Sequence, residues 1–241
     1  MRRLVDGHEH LDGALDDGTI LAGNLRDLRR INRILGGTNL SIRAIRSLVE
    51  PGFPPAGAPP ETLRVLDVGT GAADIPMAII RASGPWRSVH VTATDSRPEV
   101  LEAAQAISPG LASQPNLSLT VADGRALPYA DEAFHVAHVS LVLHHLDPGD
   151  GIRFLRELAR VASIGVVVND LARGWSSWLG ARLLLHAMTR NRFTLHDGPL
   201  SVRRAYTRPE ARALLTEAGL RPVTELGGLL GHRWAIAAVP G

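Results

Sequence analysis

The sequence predicts an α/β protein built on a mostly parallel sheet, and three observations carry that expectation. From Thr62 onward, short apolar runs alternate with amphipathic segments, the pattern of a parallel sheet with crossover helices. The first run leads into a Gly-x-Gly turn, LDVGTGAADIP from Leu66 to Pro76, where a strand would feed a helix. The next two runs end in Asp95 and Asp123, which places acids beyond the carboxyl ends of adjacent strands.

Each element has its own signal. In LAGNLRDLRRINRILGG the apolar residues Leu21, Leu25, Leu28, Ile31, Ile34 and Leu35 recur every three or four positions, which predicts an amphipathic helix stopped at Gly36-Gly37. A second short helix is expected over Leu40–Val49, before a stretch holding five prolines and two glycines between Pro51 and Pro60 that cannot keep regular structure. Strands are expected at Leu63–Val68, Ser88–Thr94, Leu117–Val121, Phe134–Ser140, Gly165–Val168, Arg221–Leu226 and Arg233–Val239. Helices are expected at Ala72–Ala82, Arg97–Ile107, Asp150–Ala162, Trp175–Met188, the last followed by a long loop, and Thr207–Gly219. The domain organisation that follows is a helical arm or cap over 1–50, a proline-rich linker over 51–61, and a sheet domain over 62–241 with a lid insertion at about 171–206.

Composition removes several function classes. At 241 residues and 45% hydrophobic, the chain can bury one good core. All 26 basic residues are arginine, against 24 acids, so the net charge is only +2 and nucleic-acid binding is not expected. Without lysine there is no Schiff base and no phosphate-loop lysine; without cysteine there is no disulfide, thiolate nucleophile or cysteine-bound metal. The first residues turn acidic rather than apolar, and the apolar stretch from Val136 to Leu146 is broken by His138, Ser140, His144 and His145. No secretory signal and no stable membrane insertion are therefore expected, and a cytoplasmic location follows.

The turn at Leu66–Pro76 discriminates among ligands. A phosphate loop needs a Lys-Ser/Thr pair that this chain lacks, and a dinucleotide fingerprint needs a third glycine where the chain has Asp74. An aspartate there would repel a pyrophosphate at the helix N-terminus. S-adenosylmethionine suits the acids better: carboxylates match its sulfonium, ammonium and ribose hydroxyls, while glycine-exposed amides match its carboxylate.

On these residues the chain resembles the class I S-adenosylmethionine-dependent methyltransferases. The likeness lies in VLDVGTGAADIP, VTATDSRPEVLEAA, VADGRALPYADEAFHVAHVSLVLHHLDP and RAYTRPEARALLTEAGL, from about Leu63 to the C-terminus. It is similar in particular to small bacterial quinone and phenolic-metabolite methyltransferases, through NLRDLRRINRILGGTN and VVNDLARGW. The resemblance implies a Rossmann-like, mostly parallel seven-stranded sheet with helices on both faces. It implies that Asp67, Gly69, Thr70, Gly71 and Asp74 form the first motif, with Gly69–Gly71 at the methionine moiety. Asp95 would take the ribose hydroxyls with Ser96 and Arg97 near the adenine, Asp123 and Gly124 would bound the adenine, and Ser140 and Leu141 would sit under the sulfonium. The chain departs from the family's pattern at Ala73, where many relatives have glycine, and at His135, where an aspartate is usual.

Candidate catalytic residues follow from where an acceptor would approach. His144 or His145, at the mouth of the fourth strand, could take a phenol's proton, or could simply cap the strand. His196, beside Asp197, could be a carboxylate-oriented base, or part of a turn before Gly198-Pro199. Trp175 and Trp178, with Leu183, Leu184 and Met188, could roof an acceptor pocket or pack as core, and Arg192 could hold an acidic group. The motif His8-x-His10 with Asp12 reads as an exposed helix start, and no metal is expected. The expected reaction is methyl transfer to an oxygen, or an activated aromatic carbon, of a small hydrophobic phenolic, quinol or polyketide-type acceptor, by a monomer or homodimer. The competing readings are an NAD(P)-dependent oxidoreductase on a similar sheet and a non-catalytic module that binds the cofactor.

Overall fold

The computed structural model describes residues 1–13, 17–49, 61–82 and 88–241. Strands β1 (Thr62–Val68), β2 (Ser88–Asp95), β3 (Leu117–Val121), β4 (Phe134–Ser140) and β5 (Ala162–Leu171) run parallel, and β6 (Leu220–Gly227) and β7 (Arg233–Pro240) add an antiparallel hairpin. They form one seven-stranded sheet in the order β3-β2-β1-β4-β5-β7-β6. The order reverses between β1 and β4, so a crevice opens beyond their carboxyl ends, where open parallel sheets bind ligands.

The alternation inside β1 shows why both faces of the sheet must be covered. Leu63 and Val65 face α2 (Gly37–Val49) and α3 (Asp74–Arg81), whose Leu40, Ile45, Leu48, Ile75 and Ile79 are buried against them. Leu66 and Val68 face the other way, toward α5 (Pro148–Val161) and α8 (Arg208–Glu217), with Phe154, Leu155, Leu158 and Leu215 buried there. Each such aliphatic side chain contributes about 1.5–3 kcal/mol by leaving water. The second helix of the expected N-terminal arm is thus a layer of the sheet's own core. α1 (Gly18–Ile34) lies further out, setting Leu21 and Leu25 against Val100 and Ala103 of α4 (Pro98–Ile107). The proline-rich linker, apart from Glu61, lies outside the described residues.

Two expectations need correction. The fifth strand runs from Ala162 to Leu171 rather than over Gly165–Val168, because β4 and β7 pair with it on both edges. The segment after α6 (Trp175–Met188) is no loop: Arg192–Arg204 forms a helix, α7. Asn191 caps it by accepting from the Phe193 and Thr194 amides, and Phe193, Thr194 and Val202 are buried along it. Those contacts offset an interior Pro199, which costs about 3 kcal/mol in a helix, and Asp197 serves a distant segment instead of a local turn. Among the described residues, no helix is long and apolar enough to cross a membrane.

Candidate active site

The crevice at the β1/β4 reversal holds a cavity of about 540 Å³. All twelve residues expected to hold a cofactor lie on its wall: Asp67, Gly69, Thr70, Gly71, Asp74, Asp95, Ser96, Arg97, Asp123, Gly124, Ser140 and Leu141. The turn after β1 requires its glycines. Gly69 has φ +70°, and a Cβ there would lie 2.4 Å from Val142 Cγ2; Gly71 has φ +53°. Ala73 shares the left-handed region at φ 52°, so the alanine at the third-glycine position holds a strained backbone as the N-cap of α3. His135 lies outside the cavity; its Nδ1 accepts the Arg64 amide, a bond within the sheet.

Acids dominate the wall. Asp95 accepts from the Gly71 amide at 3.2 Å and the Arg97 amide at 3.2 Å, and burial still pushes its carboxyl above the usual range. Burial likewise raises Asp74, which accepts from Asn32 of α1 at 3.3 Å. The two wall arginines are engaged: Arg125 clamps Asp123, and Arg97 donates to the carbonyls of Leu11 and Gly13. A pyrophosphate would meet carboxylates without a free counter-cation. The hydroxyl of Thr70 is buried on this wall without a hydrogen-bond partner, a polar atom that a bound ligand would satisfy.

Behind the wall lies a buried polar chain that the sequence reading missed. His138 on β4 is wholly buried between Asp67, 2.5 Å from its Nδ1, and Ser41 of α2, 2.8 Å from its Nε2. Asn169 donates to Ser41 Oγ, and Arg233 donates to Asn169, Asn32 and Ser140. Burial lowers the Arg233 pKa to about 10. A Cβ on Gly37 would overlap this guanidinium, so the start of α2 must be glycine for Arg233 to fit.

A second cavity, of about 660 Å³ and mostly aliphatic, lies between α1, α6 and α7. Leu11, Leu28, Leu141 and His145 belong to both cavities. Leu141 sits at φ 59°, a strained backbone at the junction of the two.

The N-terminal segment closes over this junction. Asp197 of α7 accepts from the His10 and Leu11 amides, capping a single turn at His10–Asp12. Asp12 Oδ1 lies 2.8 Å from His145 Nδ1, and Arg204 bonds Asp12, Glu9 and the His145 carbonyl. Burial opposes ionisation of Asp12, but the bonds from His145 and Arg204 outweigh it and hold the carboxyl well below its ordinary value. A lowered folded value means stability that is present above the ordinary aspartate pKa of 3.8 and lost as pH falls below it. Amide exchange in residues 8–13 is therefore expected to accelerate below that pH, and Asp12→Asn to remove that part of the acid dependence. An unchanged acid profile in the variant would contradict this assignment.

The remaining expected site residues divide. His145 is at the junction; His144 is buried, with Nδ1 2.7 Å from Asp170, and also borders the second cavity. His196 pairs with Asp197 and lies tilted against the His10 ring, on the wall of neither cavity. Trp175, Trp178 and Arg192 are also absent from both walls. The reason is helix phase: α6 turns Ser176, Ser177, Gly180, Ala181 and Leu184 to the cavity, while Trp175 is 68% exposed and packs edge-on against Trp178. Arg192 is exposed, 5.7 Å from the Phe193 ring. Glu9, Asp12, Asp170 and Arg204 were not singled out as site residues. Asp12 alone had a hint, in its spacing from His8 and His10.

Residues 65–165 match a family described as "Methyltransferase domain". Over that stretch the chain is similar to methyltransferase domains. Its fold is shared with a SAM-dependent methyltransferase from Aquifex aeolicus, at 19% identity and a TM-score of 0.62 over 90% of this chain and 97% of that one. An O-methyltransferase family 2 protein from Planctomyces limnophilus, solved with apigenin, superposes at TM-score 0.60 with 18% identity over 95% of this chain and 63% of that one. Human N-acetylserotonin methyltransferase, solved with SAM, gives 0.62 and 16% over 93% and 57%. The chain thus spans less than two thirds of the latter two proteins. The acid-lined cradle with its unpartnered Thr70 hydroxyl fits S-adenosylmethionine, the ligand named for two of these fold relatives.

Proposed function

We propose that this protein methylates a hydroxyl oxygen, or an activated ring carbon, of a small hydrophobic aromatic molecule of phenolic, quinol or polyketide type. The observation that carries this reading is the shared wall of the two cavities: the acidic cradle and the aliphatic cavity meet at Leu141 and His145. A volume of about 660 Å³ suits a small aromatic acceptor. The apigenin bound by one fold relative and the substrate named for another are compatible with such an acceptor.

When bound, S-adenosylmethionine supplies a methyl carbon on a positively charged sulfur, which keeps the electron pair once the carbon is attacked. The protein's work is then mainly alignment in a dry pocket. Gly69, Thr70 and Gly71 hold the methionine end, Asp95 the ribose, Asp123 and Gly124 the adenine edge with Ser96 and Arg97 beside it. Ser140, fixed by Arg233, and Leu141 carry the reacting end. Asp12 holds Nδ1 of His145 as its donor side, which leaves Nε2 free to accept the acceptor's hydroxyl proton. The N-terminal segment over residues 1–13 and α1 serve as the cap, and α6 and α7 as the lid.

Turnover of S-adenosylmethionine with a panel of hydroxyarenes tests the reading. His145→Ala is expected to lower kcat about 10²–10⁴-fold, the usual worth of a general base. Trp175→Ala is expected to leave acceptor KM unchanged. Absence of product across phenols, quinols and naphthols would reject the acceptor class.

A further inference from the structure

We propose that Glu9, His144 and His145 form a binding site for one divalent transition-metal cation, of zinc type, at the border of the aliphatic cavity. Its place beside the acceptor rests on the function proposed above; the binding itself does not.

The argument begins with the Nδ1 atoms. His144 Nδ1 lies 2.7 Å from Asp170 and His145 Nδ1 lies 2.8 Å from Asp12. An ionised carboxylate only accepts, so each imidazole carries its proton on Nδ1, and each neutral ring keeps a lone pair on Nε2. Those two Nε2 atoms converge on one carboxylate: His144 Nε2 is 3.8 Å from Glu9 Oε1, and His145 Nε2 is 3.8 Å from Glu9 Oε2. At that separation no proton is shared. His144 Nε2 is buried and has no hydrogen-bond partner. The three ligand atoms lie within 4.8 Å of one another. Two ligands about 2.1 Å from a tetrahedral cation stand about 3.4 Å apart, so the two pairs at 3.8 Å must close by about 0.4 Å and any pair at the 4.8 Å limit by up to about 1.4 Å.

The surroundings are those of a metal centre. Two histidines oriented by carboxylates on the far ring nitrogen, plus one carboxylate ligand, leave a further position open, and here it faces the cavity. Glu9 is fixed by Ser201, whose Oγ donates to it at 2.8 Å, and by Arg204 at 3.2 Å. Histidine and carboxylate donors without thiolates suit Zn²⁺, and Co²⁺ in the same site. The local sequence GHEHLD hides this, because exposed His8 and His10 draw the eye while buried Glu9 between them points inward.

With the cation present, an acceptor hydroxyl can coordinate it and lose its proton to solvent, with no change of oxidation state; without it, only the imidazole route remains. The test uses the full chain, stripped with a chelator and titrated with Zn²⁺ by calorimetry and with Co²⁺ by visible absorption. The expected result is one equivalent bound, with a Co²⁺ d–d spectrum of low coordination number. Affinity is expected to fall at least 100-fold in Glu9→Gln and in His145→Ala, and to persist in the double variant His10→Ala/His196→Ala, which removes the other histidine cluster. Far-UV dichroism and S-adenosylmethionine affinity report that the variants are folded, a needed control because Glu9 is buried. No binding by the wild type, or equal binding by Glu9→Gln and His145→Ala, overturns the proposal. Metal binding without S-adenosylmethionine binding would instead reject the methyl-transfer reading and leave this site standing.

Discussion

His138→Leu is expected to lower the thermal unfolding midpoint by about 6–20 °C. The substitution strips the partner from Asp67, which is 3% exposed on the inner strand β1. Breaking a buried pair by removing one member costs about 3–5 kcal/mol, because the remaining charge is nearly closed off from water and has lost its partner. For a chain of this length each kcal/mol moves the midpoint by about 2–4 °C. Ser41 loses a partner too, though Asn169 still donates to it, so the carboxylate rather than the hydroxyl sets the size of the effect. The double variant Asp67→Asn/His138→Leu separates the causes, since it removes the stranded charge while keeping the apolar replacement. Its midpoint is expected to recover at least half of the loss. If the double variant is as unstable as the single one, the pair is holding shape rather than neutralising charge. Thermal unfolding followed by far-UV dichroism reads both.

The contrast between what local sequence revealed and what it hid has a physical basis. The cradle was legible because its determinants are local: a glycine turn after a strand, acids at strand ends, and a left-handed backbone within four residues. The whole set from Asp67 to Leu141 accordingly falls on one wall. The junction was half legible. His144-His145 announced itself at a strand mouth, but Arg204 reaches Glu9 across 195 residues and Asp12 across 192, and no periodicity encodes such a bond. The lid failed for another reason. Gly198-Pro199 reads locally as a turn, yet tertiary contacts keep it helical, and a Cβ at Gly198 would sit 2.2 Å from Leu185 of α6. Aromatic residues on α6 suggested a pocket face, but the helix turns its small residues inward and leaves Trp175 in solvent. His138 looked like an interruption in an apolar strand; its partner, Asp67, is on the neighbouring strand at the paired position.

Asp95→Ala is expected to weaken S-adenosylmethionine and S-adenosylhomocysteine by at least about 150-fold, or about 3 kcal/mol. Two hydroxyl groups bonded to one carboxylate are worth about 1.5–3 kcal/mol each, and the charge-bearing acceptor is what the substitution removes. Burial has already raised the Asp95 carboxyl, against the amides of Arg97 and Gly71 and the Arg97 charge, so further donors bind to an under-satisfied group. The same carboxylate also anchors Gly71, and part of the loss comes from a loosened glycine turn. Asp95→Asn distinguishes the two, since its amide oxygen can keep one backbone bond while the charge is gone; an intermediate affinity is expected. Titration calorimetry with S-adenosylmethionine, S-adenosylhomocysteine, NADH and NADPH gives the decisive comparison. The nicotinamide dinucleotides are expected not to bind, because Asp67, Asp74 and Asp95 line the cradle while Arg97 and Arg125 are already engaged. Binding of NADH that survives Asp95→Ala would place the ribose elsewhere and undo the assignment of the cradle.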